Sequence, residues 1–399
     1  MRILVHDYPG HPFEVQLSRE LAQRGHKVLH IYAGYNVTPR GELKKKDSDP
    51  EQFDISPIFI REPLKKYSFF KRWQQEREYG ILLSQEIRKF QPDILISANT
   101  PLDAQRLAQK TAQKENIRFI FWLQDVIGLA AQRLLRNKLP VLGDIIAGYY
   151  TFLERELLKN SDHIVLITED FQPLMKRWGI AHEQTTTIPN WATLNQLPVQ
   201  SSQNSWAKKH CLTDKFCFMY TGTLGMKHNP SLLLELALHY QDVENVNVVV
   251  ISEGPGANWL RERKKEHQLS NLLLMEYQPF EELPQVMGTA DVLIALLEPE
   301  AGIFSVPSKV LTYLCAQRPL LLAMPQDNLA AKIVTQNKAG FVTSPNDTEA
   351  FIKTSEMLIN DPLLRQACGQ RARAYAEERF DIERIGDQFE EILINQTVV

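Results

Sequence analysis

Cysteine is scarce and scattered: four residues among 399, Cys211, Cys217, Cys315 and Cys368, with no Cys-x-x-Cys pair. That spacing gives neither a disulfide framework nor a zinc site. Net charge is equally thin, −3 at neutral pH, so no global field draws the chain to nucleic acid. No apolar run approaches the roughly 18–20 uncharged residues that span a bilayer. The opening Met1-Arg2-Ile3-Leu4-Val5-His6 enters a strand-like run without the apolar core of a secretory signal. These absences predict a reducing, cytoplasmic location.

What is present is an ordinary globular balance, 44% hydrophobic and 23% charged. A chain of this length exceeds one comfortable core and suits two domains of roughly 200 residues. Short apolar runs alternate with amphipathic helices, the signature of parallel α/β sheets. In the first half, strands are predicted at residues 3–6, 28–32, 94–97, 118–123 and 163–167, with helices at 14–24, closed by Gly25, and from Leu102. The second half restarts the rhythm at 216–220, 246–251, 272–275, 292–296 and 320–323. Between them the chain runs Pro189-Asn190-Trp191 into the polar stretch 200–204, which reads as the linker. Two similar halves predict a cleft between them, with ligands beyond the carboxyl ends of the strands.

Three loops in the second half read as an anion site. In Gly222-Thr223-Leu224-Gly225-Met226-Lys227, two glycines follow a strand and a lysine follows them. Glycine lets backbone N–H groups approach a phosphate, and lysine adds a point charge; a plain strand-to-helix turn has even odds. Val306-Pro307-Ser308-Lys309 precedes an apolar helix over 310–316. Proline suits a first helical turn and serine a cap, and the free N–H groups suit a diphosphate. Pro-Ser also starts many helices that bind nothing; the small, loose 301–305 before it favours a ligand. Ser252-Glu253-Gly254-Pro255-Gly256 follows another strand: Glu253 and Gly254 read as lining, Pro255 as a tight turn.

In this order, the loops resemble the retaining glycosyltransferases of family 4, and among them the colanic-acid-type enzymes of exopolysaccharide synthesis. The resemblance rests on Pro189-Asn190-Trp191, on Gly222 to Lys227, on Pro307 to Lys309, and on Gln124-Asp125. It implies the GT-B fold: two Rossmann-like parallel-sheet domains facing a cleft, acceptor-binding over 1–190 and donor-binding over 191–370. Helices over 371–399 would cross back to the first domain. It also implies retaining, metal-independent transfer from a nucleotide diphosphate sugar to a hydroxyl, the sugar nucleotide being a co-substrate rather than a cofactor. Lys227 would neutralise the leaving diphosphate with amides of Gly222, Thr223, Leu224, Val306 and Ser308, Pro307 lining the donor between the last two, such preorganised charge carrying much of the catalysis. Gly225, Glu253, Gly254, Ser305, Lys309 and Thr312 would line the donor, and Tyr277 and Gln278 would lie near the base. Gly10, His11 and Asp125 would face acceptor and donor sugar, Asp125 as a catalytic group beside Lys227.

Two departures bear on roles. Where many members carry an arginine after the first glycine, this chain has Thr223. Where many carry two glutamates eight positions apart, it has Phe304 and Thr312, with Glu298 or Glu300 the available substitutes. The alternatives are a non-catalytic nucleotide- or glycan-binding protein and a same-fold sugar-nucleotide epimerase or phosphorylase.

Asp47-Ser48-Asp49 imitates a metal-binding aspartate motif, but it follows three lysines in a polar loop and is read as solvated, with no metal required. His6 reads as a structural histidine. Residues 64–77 interleave Lys65, Lys66, Lys71, Arg72 and Arg77 with Tyr67, Phe69, Phe70 and Trp73, and residues 134–150 can extend that face. The two readings, weighed equally, are a peripheral helix on an anionic membrane, which suits a lipid-linked acceptor, and aromatics packed into the core. No nucleic-acid recognition module accompanies the patch.

Overall fold

A computed structural model describes residues 1–35, 42–64, 68–128, 140–225, 228–299 and 307–395. The chain forms two compact units, one from Met1 to Asn190 and from Ile382 onward, the other from Trp191 to Asp381.

In the first unit, β1 (Arg2–Asp7), β2 (Lys27–Ala33), β3 (Phe53–Ile58), β4 (Ile94–Ala98), β5 (Arg118–Leu123), β6 (His163–Leu166) and β7 (Thr185–Thr187) form one sheet in the order β3-β2-β1-β4-β5-β6-β7. Every pairing is parallel. Ile3, Leu4 and Val5 are fully buried, as a strand covered by helices on both faces must be, which is why the sequence there is continuously apolar. The helix Pro12–Gln23 begins on a proline, whose missing N–H costs nothing at that position.

The second unit repeats the plan with β8 (Phe216–Thr221), β9 (Val246–Ile251), β10 (Leu272–Met275), β11 (Val292–Leu296), β12 (Leu320–Ala323) and β13 (Gly340–Thr343). Their order is β10-β9-β8-β11-β12-β13, again all parallel. β8, in mid-sheet, carries Cys217, Phe218, Met219 and Tyr220 fully buried, and it delivers the chain to the glycine loop.

The structure adds three strands to the expected set: β3, β7 and β13. All are sheet edges. An edge strand buries less and tolerates proline, so β3 carries Pro57, β7 is three threonines and β13 opens on Gly340; none makes an apolar run.

Two boundary expectations are corrected. The stretch 200–204 is not a free linker: Arg318 donates to Gln200 O at 3.0 Å, and Asn204 accepts from Ala207 N at 2.9 Å, capping a short helix. The return to the first unit begins at Ile382 rather than 371, because Pro362–Arg379 stays with the second unit, where Arg373 binds the Leu197 and Cys315 carbonyls. The returning helix Ile382–Asn395 is anchored by Arg24, which reaches Asp387 at 2.7 Å, Glu390 at 2.9 Å and the Glu383 carbonyl at 2.6 Å. Phe389 packs on Trp122.

Candidate functional site

The second unit assembles its site at the carboxyl end of β8. Tyr313, fully buried, clamps the strand's last residue: its hydroxyl accepts from Thr221 N at 2.8 Å and donates to Thr221 O at 3.1 Å. Burial pushes that phenol up to about 12, so it stays a neutral hinge pin. The chain then turns at Gly222 with φ 102°, a left-handed value that favours glycine. A Cβ there would lie 3.3 Å from Lys309 Cε and Nζ, so the lysine's charged end lies against the glycine backbone. The ammonium also sits 3.7 Å from the centre of the Tyr220 ring, a cation–π geometry that fixes its direction. Tyr220 in turn donates to Thr223 O at 2.8 Å.

The neighbouring loop closes onto the first. Leu224 N donates to Glu253 O at 3.2 Å, and Gly256 N donates to Leu224 O at 3.0 Å. A Cβ on Gly256 would stand 2.8 Å from that same carbonyl, which explains the glycine. Gly254 has φ 111°, and the helix Pro255–Glu266 starts directly after it. Exposed Thr223 shares a 2.8 Å hydrogen bond with the Tyr277 hydroxyl, so the position where an arginine was expected is tied to the tyrosine expected near the base. Gly225 N donates to His228 Nδ1 at 3.0 Å and keeps the loop turned.

Other expected donor-side residues are placed differently. Gln278 accepts the Trp206 indole N–H at 3.1 Å and donates to Glu276 O at 2.9 Å, so its amide is engaged within the unit. Glu253 points to solvent, and Thr312 is half-buried. The serine of Pro307-Ser308 is not the cap: Pro307 takes the N-cap position without a side-chain bond, and the helix runs Ser308–Leu314. Met226, Lys227, Glu300, Phe304, Ser305 and Val306 lie outside the described residues.

In the first unit, β1 ends at Asp7 and Gly10 follows with φ 81°. His11 is one-third exposed, its backbone N–H donates to Asp7 Oδ2, and its Nδ1 lies 3.3 Å from Asp7 Oδ1. Asn99, just after β4, donates to Glu14 Oε1 at 2.7 Å and sits 3.4 Å from Asp7 Oδ1. Burial alone would raise the Asp7 carboxyl, but His11's charge and hydrogen bonds outweigh it and hold it below the usual range. Burial lowers the His11 ring, yet Asp7, helped by Asp125, brings it above its ordinary value. Asp125 is exposed after β5, and the next turn is held from below by Glu154, whose two oxygens accept Ile127 N at 2.8 Å and Gly128 N at 2.9 Å. Burial lifts Glu154 to about 7 despite those two donors. Gln124 accepts from the Asn190 amide, which joins two of the motifs.

His6 is the structural residue expected: it bonds Ser97 Oγ at 2.9 Å and Tyr79 OH at 2.8 Å, and burial holds it near 3. Asp49 is not solvated. Arg19 binds it at 2.7 Å and the Lys46 N–H at 2.9 Å, so the aspartate motif is a loop clasp. On the helix Phe69–Phe90, Phe70 is 63% exposed and Trp73 only partly buried under Arg77; the core side is Tyr79, Leu83 and Ile87. The core-packing reading therefore fails for Phe70. Residues 65–67 and 129–139 lie outside the described residues. Sequence alone passed over Asp7, Glu14, Asn99, Glu154 and Tyr313; an acid at each end of Asp7-x-x-x-His11-x-x-Glu14 was the one available signal.

Two parallel-sheet Rossmann-like units in this order, with the glycine loop and lysine at the head of the second, define a GT-B protein. Solved structures agree on the fold. HepE of Anabaena, in complex with UDP and glucose, matches with TM-score 0.71 at 14% identity, over 98% of this chain and 99% of that one. Sucrose-phosphate synthase from Thermosynechococcus elongatus matches with TM-score 0.75 at 13% identity, over 98% of both chains. The model described as Glycosyltransferase Family 4 matches residues 15–196, and that described as Glycosyl transferases group 1 matches residues 202–375. The chain belongs to glycosyltransferase family 4. A probable glycosyltransferase of Pseudomonas aeruginosa, WbjE, is 23% identical over 198 residues, and the match spans about half the length of each.

Proposed function

We propose that this protein transfers a sugar, with retention, from a nucleotide diphosphate sugar to an acceptor hydroxyl, without a metal ion. The observation that carries the reading is the Lys309 ammonium held against Gly222, where a diphosphate would meet its charge. The expected amides of Gly222 and Leu224 are instead taken by Ile251 O and Glu253 O. Lys227 follows the same loop and is assigned the leaving-group charge. The UDP and glucose of HepE favour a UDP-sugar as donor. Gly10, His11 and Asp125 of the first unit are assigned to the acceptor. Thermal shift with UDP-, GDP- and ADP-sugars tests the donor. A true donor at about 100 times its Kd stabilises by about 2.7 kcal/mol, and a flat response to all three classes rejects the reading. Turnover of that donor unchanged in Lys227→Ala would remove the leaving-group role.

A surface observation supports a lipid-linked acceptor. Besides Phe70, the helix Pro140–Lys159 exposes Ile145, Tyr149 and Phe152, spaced four and three residues apart on one face. Among the described residues, no helix is long and apolar enough to cross a membrane, so docking would be peripheral. The expected result is co-sedimentation with anionic phosphatidylglycerol vesicles that is lost in a Phe70/Ile145/Phe152 triple serine variant. Wild-type protein that stays in the supernatant disposes of this arm alone.

A further inference from the structure

Two carboxyl groups, Asp7 and Glu14, are fully buried within one small cluster. Like charges so placed cannot both ionise without a proton or a cation between them. The hydrogen bonds say which acid is charged. Asp7 receives three N–H groups: His11 N on Oδ2, and both His11 Nδ1 and Asn99 Nδ2 on Oδ1. His11 Nδ1 and Asn99 Nδ2 lie 3.3 Å apart because they converge on that one oxygen. Glu14 receives only Asn99, on Oε1, and its buried Oε2 meets no donor among the described residues. A carboxylate is stabilised by the N–H groups it accepts, and a buried oxygen without a donor is where a proton belongs.

We propose that Asp7 is the ionised member of this pair, Glu14 its protonated partner, and that together they hold His11 as the cation the first unit presents to substrate. The inference rests on the acceptor role assigned above and sharpens it: His11 donates a hydrogen bond and does not act as a general base. The groups around Asp7 and the ring support this. Asp7 and His6 come from β1, Glu14 and Ser18 from the helix Pro12–Gln23, His30 from β2, Asn99 from the turn after β4, and Asp125 from the turn after β5. His6 and His30 are buried and held near 3 and 4, so neither takes the charge at neutral pH. Burial, then Asp7, raises Glu14 well above the carboxylate range, which agrees with the bonding. A metal is the rival, since Asp7, His11 and Glu14 each bring a donor atom within 4.8 Å of the others. The Asn99 amide already bridges the two acids, and N–H groups satisfy Asp7 as a cation otherwise would.

The test is histidine-selective NMR titration of the full chain, with the His11 signal assigned by its loss in His11→Gln. The expected result is titration above 6.5 in the wild type, below 6.5 in Asp7→Asn, and still above 6.5 in Glu14→Gln, since glutamine is as uncharged as a protonated glutamate. If Asp7→Asn does not fold, the wild type and Glu14→Gln decide. A wild-type value at or below 6.5, or a Glu14→Gln value that falls as far as Asp7→Asn, overturns the proposal. So does one equivalent of metal in the purified protein. Turnover of UDP-glucose provides the functional arm: it should fall about tenfold per pH unit above the His11 pKa, and His11→Arg should abolish that fall. An alkaline limb that persists in His11→Arg overturns the substrate-facing role. Absence of any UDP-glucose turnover bears on the donor reading instead, because the NMR values stand without it.

Discussion

Lys309→Met should lower kcat for sugar transfer by about 10²–10³-fold while leaving the folded protein intact. Methionine keeps the aliphatic stem and removes the charge. The magnitude is that of deleting one preorganised charge stabiliser from a site where negative charge develops in the transition state. The ammonium is preorganised here in the strict sense. Tyr220 holds it from one side at 3.7 Å and Gly222 leaves it room on the other, so no reorganisation is needed when the diphosphate departs. The cation–π contact contributes only about 0.5–2 kcal/mol to stability, so the melting temperature should move by a few degrees at most. Steady-state kinetics with the best donor of the panel, beside a thermal melt, checks both halves. A kcat within threefold of wild type would detach Lys309 from the chemistry.

Glu154→Ala should cost roughly 2–5 kcal/mol of stability and also impair transfer. The carboxyl closes two buried N–H groups, those of Ile127 and Gly128, and each left without an acceptor costs about 1–3 kcal/mol. The turn has no other way to settle, because a Cβ on Gly128 would stand 2.7 Å from the Thr151 backbone. Since Asp125 precedes that turn, its position goes with it. Glutamine retains an acceptor but leaves one N–H facing an amide, so Glu154→Gln should cost less. The pH dependence carries a definite sign. Burial raises the folded Glu154 to about 7 from the ordinary 4.5, so the folded state holds a proton that the unfolded chain releases. This group's contribution is fully present below about 4.5 and is lost as pH rises to about 7. Denaturant unfolding from pH 5 to 8 should show that decline in the wild type and a flatter curve in Glu154→Gln. Parallel curves would mean that Glu154 is ionised throughout.

The central strands were legible because burial on both faces forces a continuous apolar run: residues 118–123, 246–251, 292–296 and 320–323 carry the same bounds in the structure. The edge strand 272–275 was legible too, because it is apolar although only Leu272 is fully buried. The other edge strands, β3, β7 and β13, lack both the compulsion and the apolar run and were not. In the site, Gly222, Gly254 and Lys309 were legible because a turn through left-handed φ favours glycine, and charge is visible in any sequence. Asp7, Glu14, Asn99 and Glu154 were not legible. Their meaning lies in which buried group each one meets, and those meetings join β1, the turn after β4 and distant helices. Tyr313 was hidden for the same reason: inside an apolar helix it reads as core, and only the strand end opposite reveals what its hydroxyl holds.

The helix Ile382–Asn395 also orders events during synthesis. Every residue of the second unit emerges from the ribosome ahead of the segment that Arg24, Arg118 and Trp122 bind. The sheet carrying His11 and Asp125 must wait with its flank open, while the unit that holds Lys309 is already a continuous stretch of chain. The nascent protein therefore presents the whole of its second unit before its first unit is sealed, and a chain stopped short of Ile382 would keep the former without the latter.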